Sequence, residues 1–315
     1  MKKIILFVLS AFMFVSCADK VSPEDERPPH MQDQEQETPP ADKPGNNETP
    51  GEDNKEPSEG SGPSMTLRVM SYNVGAFNKY KDQLGHYSYP EVAQILKDFN
   101  VGVVGMNETD KGWDRTSKHY QAQELAKELG EGWTYYFASA ANNMYGNSIV
   151  ASPDHKVVKE WNKVTIPKGD GSEIRSMGAV EYEDFVFCVT HLDHKSENAQ
   201  ITGVNLITDW ANKNFGSGKT SKPVILLGDM NCEPRDKAIT KFKENWTLVS
   251  STELTFPCKP NQSPIKCIDF IFVYNNGVKY EVGESHAVTP ARHSNVTLAS
   301  DHLPMYADIT FKKQK

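Results

Sequence analysis

The order of apolar and polar residues from position 65 onward predicts strands and helices that alternate along the chain. Residues 66–73 alternate in polarity, as a half-buried strand does. Residues 90–100 instead repeat apolar side chains at helical spacing, and Pro90 suits the first turn of a helix. Further strands are predicted at 101–106, 135–138, 148–151, 157–165, 176–181, 185–190, 223–227, 268–273 and 306–311, and further helices at 117–129, 197–215 and 238–244.

Several of these predicted strands follow one another with no helix between them. That order favours an α/β fold with mixed sheets over a doubly wound parallel sheet. The sequence shows no internal repeat, so we expect a single domain over residues 65–315.

The first 17 residues have the pattern of an export signal. Lys2 and Lys3 precede an apolar run at residues 4–15 that is too short to span a bilayer but suits a signal peptide. Residues 14–17, Phe-Val-Ser-Cys, resemble a bacterial lipobox, in which the cysteine is acylated. We therefore expect Cys17 to anchor the protein to the outer membrane of the cell envelope, with exposure at the surface. The alternative is an ordinary signal peptide with an incidental cysteine.

Residues 18–64 have the composition of a disordered, acidic, Pro-rich linker. They hold nine of the 19 prolines, 13 acidic and 4 basic residues, and almost no apolar side chain. Such a segment cannot bury enough apolar surface to offset its chain entropy. The whole chain has a net charge of −8. The linker carries −9 and Lys2 with Lys3 carry +2, so residues 65–315 carry about −1.

The chain has five cysteines, and four remain after Cys17 is assigned to the lipid. Cys188 lies in an apolar strand pattern and is expected in the core, and Cys232 is read as a small buried residue. Cys258 and Cys267 enclose a turn-rich loop in a protein that we expect to be exported. A disulfide between these two is therefore expected, with two free thiols as the alternative.

Polar residues stand at one end of six of the apolar runs. Charged groups are costly to bury alone, so six such strands in one domain indicate that their ends meet in a single cleft. Carboxylates and amides dominate the set, which favours Mg²⁺, Mn²⁺ or Ca²⁺ over Zn²⁺. Taken singly, Asp229 with Asn231 would be a cap or turn, and His191 a structural histidine. The polar residues are Asn73, Asn107, Glu108, His191, Asp193, His194, Asp229, Asn231, Asp269, Asp301 and His302.

In their order along the chain, these motifs resemble those of the endonuclease/exonuclease/phosphatase superfamily, which has the deoxyribonuclease-I-like fold. The resemblance spans nearly all of residues 66–311 and implies a four-layered sandwich of two mixed β-sheets flanked by helices. The motifs are Ser71-Tyr72-Asn73, Asn107-Glu108, Tyr145-Gly146-Asn147-Ser148, Thr190-His191-Leu192-Asp193-His194, Gly228-Asp229-Met230-Asn231, Ile268-Asp269-Phe270-Ile271-Phe272 and Ser300-Asp301-His302.

The resemblance also implies roles for the site residues. Glu108 would be the main ligand of a divalent metal, aided by Asn73 and Asp301. Asp229 would position or deprotonate the attacking water, with the choice of general base and general acid left open. The remaining implied roles are phosphate contact by Asn231, pairing of Asp269 with His302, a second imidazole from His191, and substrate binding by Tyr145, Asn147 and Asp193.

Three positions depart from the superfamily pattern. Asn107 stands where many relatives carry glutamine, Ser148 where alanine is frequent, and Gln200 where relatives often carry an arginine. Arg175 and Arg115 are the nearby candidates to supply positive charge to the substrate. The alternative for both arginines is ordinary pairing with acidic groups at the surface.

The charge of the folded part bears on the substrate. Long nucleic acids usually require a basic surface, and residues 65–315 are close to neutral. We therefore expect a monomeric hydrolase of small or lipid phosphodiesters that meets the membrane only through its lipid. An extracellular nuclease of the same fold is the second reading, and a non-catalytic surface binding protein is the alternative of another class.

Overall fold

The computed structural model describes residues 60–260 and 262–314. The predicted signal peptide, Cys17 and nearly all of the predicted linker lie outside these residues. Gly62 N donates to Lys313 O at 2.9 Å, and the first strand begins at Ser64, so the last residues of the predicted linker contact the folded domain.

Thirteen strands and six α-helices occur in the described part of the chain. The helices are α1 Lys81–Leu84, α2 Tyr89–Asp98, α3 Gln121–Leu129, α4 Glu197–Phe215, α5 Lys237–Phe242 and α6 Val296–Ala299. The strands are β1 Ser64–Asn73, β2 Val103–Asp110, β3 Thr134–Ser139, β4 Tyr145–Ala151, β5 Val157–Glu160, β6 Val164–Ile166, β7 Arg175–Tyr182, β8 Val186–His191, β9 Val224–Asp229, β10 Trp246–Leu248, β11 Asp269–Tyr274, β12 Tyr280–Ala287 and β13 Met305–Lys312.

The strands form two mixed sheets. The first has the order β12-β13-β1-β2-β4-β3, and the second has the order β10-β11-β9-β8-β7-β5, with β6 also paired to β7. Strands β1 and β2 are parallel, as are β8 and β9, and the other pairs are antiparallel. This arrangement confirms the predicted α/β fold with mixed sheets.

The two sheets pack face to face, with α2 and α3 outside the first sheet and α4 and α5 outside the second. Buried side chains of both sheets, such as Val104 and Phe187, share one apolar cluster. The sheets approach closely at Gly105, where a Cβ would lie 2.2 Å from Leu227 Cδ1. Within the described residues, no helix combines the length and apolarity needed to cross a membrane.

Some predicted elements differ from the observed ones. The strand predicted at 157–165 is two short strands, β5 and β6, which both pair with β7. The helix predicted from residue 117 begins at Gln121, because Ser117 and Lys118 have positive φ angles that end the preceding turn. Strands β10 and β12 were not predicted, since both are edge strands and β12 is mostly exposed.

The expected disulfide between Cys258 and Cys267 is wrong, because both residues are free buried thiols. Cys258 packs in the cluster shared by the two sheets and lies 3.7 Å, through Sγ, from the Val296 carbonyl. Cys267 belongs instead to the cluster under the outer face of the second sheet. The two side chains thus enter different cores. Cys188 and Cys232 are buried, as predicted.

The sheet topology brings the predicted polar residues to one edge. The parallel strands β1, β2, β8 and β9 end at this edge, and the antiparallel strands β4, β7, β11 and β13 begin there. The register also aligns Asp229 with both His191 and Asp269 across neighbouring strands. The loops at this edge surround the candidate active site.

Candidate active site

Asn73, at the end of β1, connects the two sheets across the cleft. Its Nδ2 donates to Glu108 Oε1 at 3.2 Å and to Asp229 Oδ2 at 3.1 Å. Its Oδ1 accepts from Gly75 N at 3.1 Å, which fixes the amide orientation. The predicted residues Asn73, Glu108 and Asp229 are therefore brought together.

A β-bulge in β2 places the neighbouring residues Asn107 and Glu108 in different environments. The register between β2 and β4 shifts after Met106, and Glu108 takes a positive φ of 58°. Glu108 remains partly exposed, whereas Asn107 is fully buried.

Asn107 was noted in the sequence only as a departure from glutamine, and its structural role was missed. Its Oδ1 accepts from Asp229 N at 2.8 Å, and its Nδ2 donates to Thr190 O at 2.8 Å and to Asn147 Oδ1 at 2.9 Å. One amide thus connects three of the predicted motifs. Only the spacing of these motifs in three dimensions reveals this role.

Asp229 lies between the two imidazoles. Its Oδ2 is 3.4 Å from His191 Nε2 and 3.7 Å from His302 Nε2, and all three side chains are buried. Burial raises the pKa of Asp229, and the nearby Asp269 charge adds to this, while His302 opposes it; the pKa reaches about 7.

His302 is held by Asp269, as predicted. His302 Nδ1 lies 2.9 Å from Asp269 Oδ2, which also accepts from Thr255 Oγ1 at 2.6 Å. Burial alone would lower the pKa of His302, but the Asp269 carboxylate outweighs burial and raises it to about 9. The ring of Phe256 packs against the imidazole at 4.6 Å between centroids. Thr255 and Phe256 were not predicted, because no sequence motif marks them.

His191 has the opposite electrostatic character. Burial, followed by the charges of Arg175 and His302, holds its pKa well below the usual value, so the ring is neutral. Asn231 Nδ2 lies 2.9 Å from His191 Nε2, which can accept a hydrogen bond in the neutral ring. Asn231 N also donates to Asp229 Oδ1 at 2.9 Å, so the predicted Asp-Xaa-Asn motif acts as one unit.

Arg175 is buried at the site and is only 3% exposed, so simple surface pairing does not describe it. Its Nη1 lies 3.1 Å from Glu173 Oε1, and its Nη2 donates to His194 Nδ1 at 3.2 Å. Among the described residues, Nε has no hydrogen-bond partner.

Tyr145, which was also predicted at the site, stays protonated. Burial, and next the Glu108 charge, raise the pKa of its phenol far above the ordinary range.

Arg115 pairs with an acidic side chain, which was the alternative to supplying positive charge to the substrate. Its Nε and Nη2 each bond to the buried Asp110 carboxylate at 2.8 Å. Its guanidinium also stacks on the ring of Trp113, 3.9 Å from the centroid.

The Asp193 carboxylate holds the loop at residues 172 and 195–196. Its carboxylate accepts from Ser172 N and Oγ at 2.7 and 2.5 Å, from Lys195 N at 2.8 Å and from Ser196 N at 3.0 Å. These four bonds fill the acceptor sites of a carboxylate. Burial would raise its pKa, but the hydrogen bonds dominate and lower it.

Asn147 and Gln200 are also engaged with the protein. Asn147 Nδ2 donates to Ser176 O at 2.9 Å, while its Oδ1 is bonded to Asn107. Gln200 Nε2 donates to Asp193 O at 2.7 Å and to Asn231 O at 3.1 Å. Where relatives often have arginine, this chain therefore has a bridge between two motif loops.

The oxygen ligands predicted for a metal lie on one side of the cleft. Glu108 and Asn73 adjoin there, and Ser300 Oγ donates to Asn73 O at 2.6 Å, which brings Asp301 nearby. The Asp301 carboxylate forms an ion pair with Lys79.

Donor atoms of Asp229, Asp269 and His302 also lie within 4.8 Å of one another. A protonated His302 cannot be a ligand, so the Glu108 side fits a hard cation better.

Two mixed sheets, outer helices and a buried acid–imidazole centre at one edge define a class of phosphate-ester enzymes. Residues 70–302 match the model of the Endonuclease/Exonuclease/phosphatase family, and the chain belongs to this family. No match is found among curated proteins.

Solved structures with a similar fold include proteins of Bacteroides thetaiotaomicron. One is an endonuclease/exonuclease/phosphatase family protein, with 20% identity, a TM-score of 0.62, and coverage of 79% of this chain and 99% of the other. Another is the mannosyl-6-phosphatase Bt3783 of strain VPI-5482, with 21% identity, a TM-score of 0.62, and coverage of 77% and 99%. Apart from these Bacteroides proteins, the structure of ANGEL2, a 2',3'-cyclic phosphatase, is similar, with 16% identity, a TM-score of 0.60, and coverage of 79% of this chain and 96% of the other.

Proposed function

We propose that this protein is a divalent-metal-dependent phosphoester hydrolase that acts on small or lipid phosphodiesters by in-line attack of an activated water. The observation that carries the proposal is the buried Asp229 carboxylate between His191 and His302, with Asn73 and Asn231 bonded to it. Desolvated groups of this kind are typical of acid–base catalysis.

The carboxylate of Glu108 would hold a divalent cation, with the carboxylate of Asp301 as the second ligand. The Asn73 amide directs Nδ2 at Glu108 and its Oδ1 accepts from Gly75 N, so its oxygen would join the ligands only after the amide turns. Mg²⁺ prefers such carboxylate and amide oxygens, and Mn²⁺ and Ca²⁺ accept them. When bound, the cation would neutralise charge that develops on the phosphate oxygens.

Asp229 and His302 divide the proton transfers. With a pKa of about 7, Asp229 is ionised in a large fraction of molecules near neutral pH and can accept a proton from water. With a pKa of about 9, His302 is protonated at the same pH and can donate to the leaving oxygen. Asp269 keeps the donor Nε2 directed at the cleft by holding Nδ1.

The phosphate itself is bound by hydrogen-bond donors that flank Asp229. We assign this task to the buried guanidinium of Arg175, because Asn231 Nδ2 already bonds to His191 Nε2 and to Leu192 O. Arg175 Nε has no partner among residues 60–260 and 262–314, so a phosphate oxygen would satisfy a donor that is otherwise costly to bury.

Phosphomonoesters are the second candidate substrate. A monoester dianion carries more charge than a diester, and the buried Arg175 together with protonated His302 supplies compensating positive charge. The structurally similar Bt3783 is named a mannosyl-6-phosphatase, which adds a sugar phosphate to the substrates worth testing.

A panel of substrates with and without EDTA tests the proposal. It should contain bis-p-nitrophenyl phosphate, a lipid phosphodiester, mannose 6-phosphate and plasmid DNA. We expect metal-dependent turnover of the diesters and a loss of at least about a hundredfold in Asp229→Ala and His302→Ala. The exposed Asp209 and His86 provide matched controls as Asp209→Ala and His86→Ala. Equal turnover in all variants would rule out Asp229 and His302 as catalytic groups. No turnover of any substrate would indicate a binding protein, and cleavage of DNA alone would indicate a nuclease.

We also propose that Cys17 is acylated and anchors the protein in the outer membrane. The support is the apolar run at residues 4–15 and the lipobox-like Phe-Val-Ser-Cys. Incorporation of labelled palmitate that Cys17→Ala abolishes is the expected result, and unchanged labelling would contradict it.

A further inference from the structure

Apolar side chains are concentrated around the candidate active site. Among residues 60–260 and 262–314, six large apolar side chains are exposed, and four of them lie on loops at the edge of the cleft. These four are Met144, Ile174, Leu254 and Ile265. Single exposed apolar residues are common on soluble domains. Their grouping at one edge is the feature that requires an explanation.

Two of the four are carried by a segment that also positions catalytic groups. Ile265 N donates to Phe256 O at 2.9 Å and Thr255 N donates to Lys266 O at 2.7 Å, so residues 254–256 and 265–266 form two paired arms. The buried Thr255 bonds to Asp269, and Phe256 packs on the His302 ring.

The outer side of the same arms is apolar. Leu254 is 46% exposed and Ile265 is 65% exposed, although Leu254 precedes Thr255 and Ile265 N bonds to Phe256 O. The arms thus have one side that holds the site and another that offers apolar surface to the surroundings.

The charges beside these apolar residues are positive. Lys259 and Lys266 are exposed next to the arms. The nearby Glu253 is already paired, because its carboxylate bonds to His286, Arg292 and the main chain. Apolar side chains flanked by lysines are the combination that binds the headgroup boundary of an anionic lipid surface.

We propose that the arms at residues 254–256 and 265–266 dock the domain on a lipid surface that contains anionic lipids. Leu254 and Ile265 insert at the headgroup boundary, and Lys266 faces the headgroups. Docking places the mouth of the cleft against the phosphoesters of the membrane. The inference rests on the proposed hydrolytic function and narrows its substrate to a lipid phosphodiester.

Co-sedimentation with vesicles of phosphatidylcholine and phosphatidylglycerol tests the docking. The full chain is used in a Cys17→Ala background, so that acylation does not contribute. We expect Leu254→Ser combined with Ile265→Ser to weaken partitioning by about tenfold or more. The matched control is Val158→Ser combined with Val282→Ser, which alters two exposed apolar residues away from the cleft and should leave partitioning unchanged. Turnover of soluble bis-p-nitrophenyl phosphate, measured in parallel, should be the same in all of these variants.

The possible results separate the two proposals. The docking is overturned if the protein does not partition onto vesicles, or if the Leu254 and Ile265 changes leave its partitioning unaltered. In either case, turnover of the soluble substrate still supports the proposed hydrolysis. Partitioning without soluble turnover counts against the proposed function. The unaltered protein could also self-associate in a concentration-dependent manner without vesicles. If the Leu254 and Ile265 changes abolish that self-association, the surface binds a second copy of this chain and the docking is overturned. Ile265→Ser alone, at the more exposed position, repeats the test if the double variant folds poorly.

Discussion

His302 Nδ1 and Asp269 Oδ2 lie 2.9 Å apart with both side chains buried, so a carboxylate orients the imidazole and favours its protonated form. The opposite ring nitrogen lies 3.7 Å from Asp229 Oδ2. The pKa of Asp229 is raised to about 7 and that of His302 to about 9. A carboxylate and an imidazole with these values can act as base and acid at the same pH.

The rate should therefore have a bell-shaped dependence on pH. Asp229 must be ionised, so kcat/KM should rise through about pH 7, and His302 must be protonated, so it should fall through about pH 9. Because Asp269→Asn removes the charge that supports protonated His302, its falling limb should move to lower pH. Rates of bis-p-nitrophenyl phosphate hydrolysis across this range provide the measurement, and an unmoved falling limb in Asp269→Asn would count against the assignment.

Thr255 is expected to act as a positioning residue. Its hydroxyl donates at 2.6 Å to the same Asp269 oxygen that holds His302. Thr255→Val should lower kcat by about tenfold and shift the falling limb to higher pH, since Asp269 loses a donor that competes for its charge. Thr255→Ser keeps the hydroxyl and should behave like the unaltered protein. A merely structural role for Thr255 would leave the pH profile in place.

The metal requirement should depend more on Glu108 than on Asp301. EDTA should abolish turnover and added Mg²⁺ should restore it. Glu108→Gln should raise the Mg²⁺ concentration for half-maximal rate by about tenfold or more, because it removes the main anionic ligand. Asp301→Asn should have a smaller effect, since the Asp301 carboxylate already pairs with Lys79. Full activity in EDTA would refute the metal assignment.

Asn107 should contribute strongly to stability. Asn107→Leu deprives Asp229 N and Thr190 O of a buried partner, so the free energy of unfolding should fall by about 3 kcal/mol. Asn162, which is exposed, serves as the control, and Asn162→Leu should change stability by about 0.5 kcal/mol or less. Urea unfolding measures both, and equal midpoints would contradict the bridging role.

Local patterns in the sequence predicted elements well where one side of the element is buried. The helix predicted at 197–215 has the observed bounds, because its apolar spacing and Ser196 cap are local features. Strand β12 escaped prediction because residues 281–284 are exposed and leave no alternation to recognise. The turn that delays α3 depends on positive φ at Ser117 and Lys118, which propensity does not indicate.

The sequence by itself determined most of the side chains that gather at the site, because they end or begin apolar strands and strand ends meet at a sheet edge, whereas Thr255 and Phe256 carry no such signal. Only the tertiary structure decided how they are used. The four bonds to Asp193, the bridge made by Asn107, the buried position of Arg175 and the separate cores that keep Cys258 and Cys267 apart all depend on the register between distant strands. Hydrogen bonding and desolvation act over a few ångströms, and sheet packing sets distances on that scale between residues far apart in the chain.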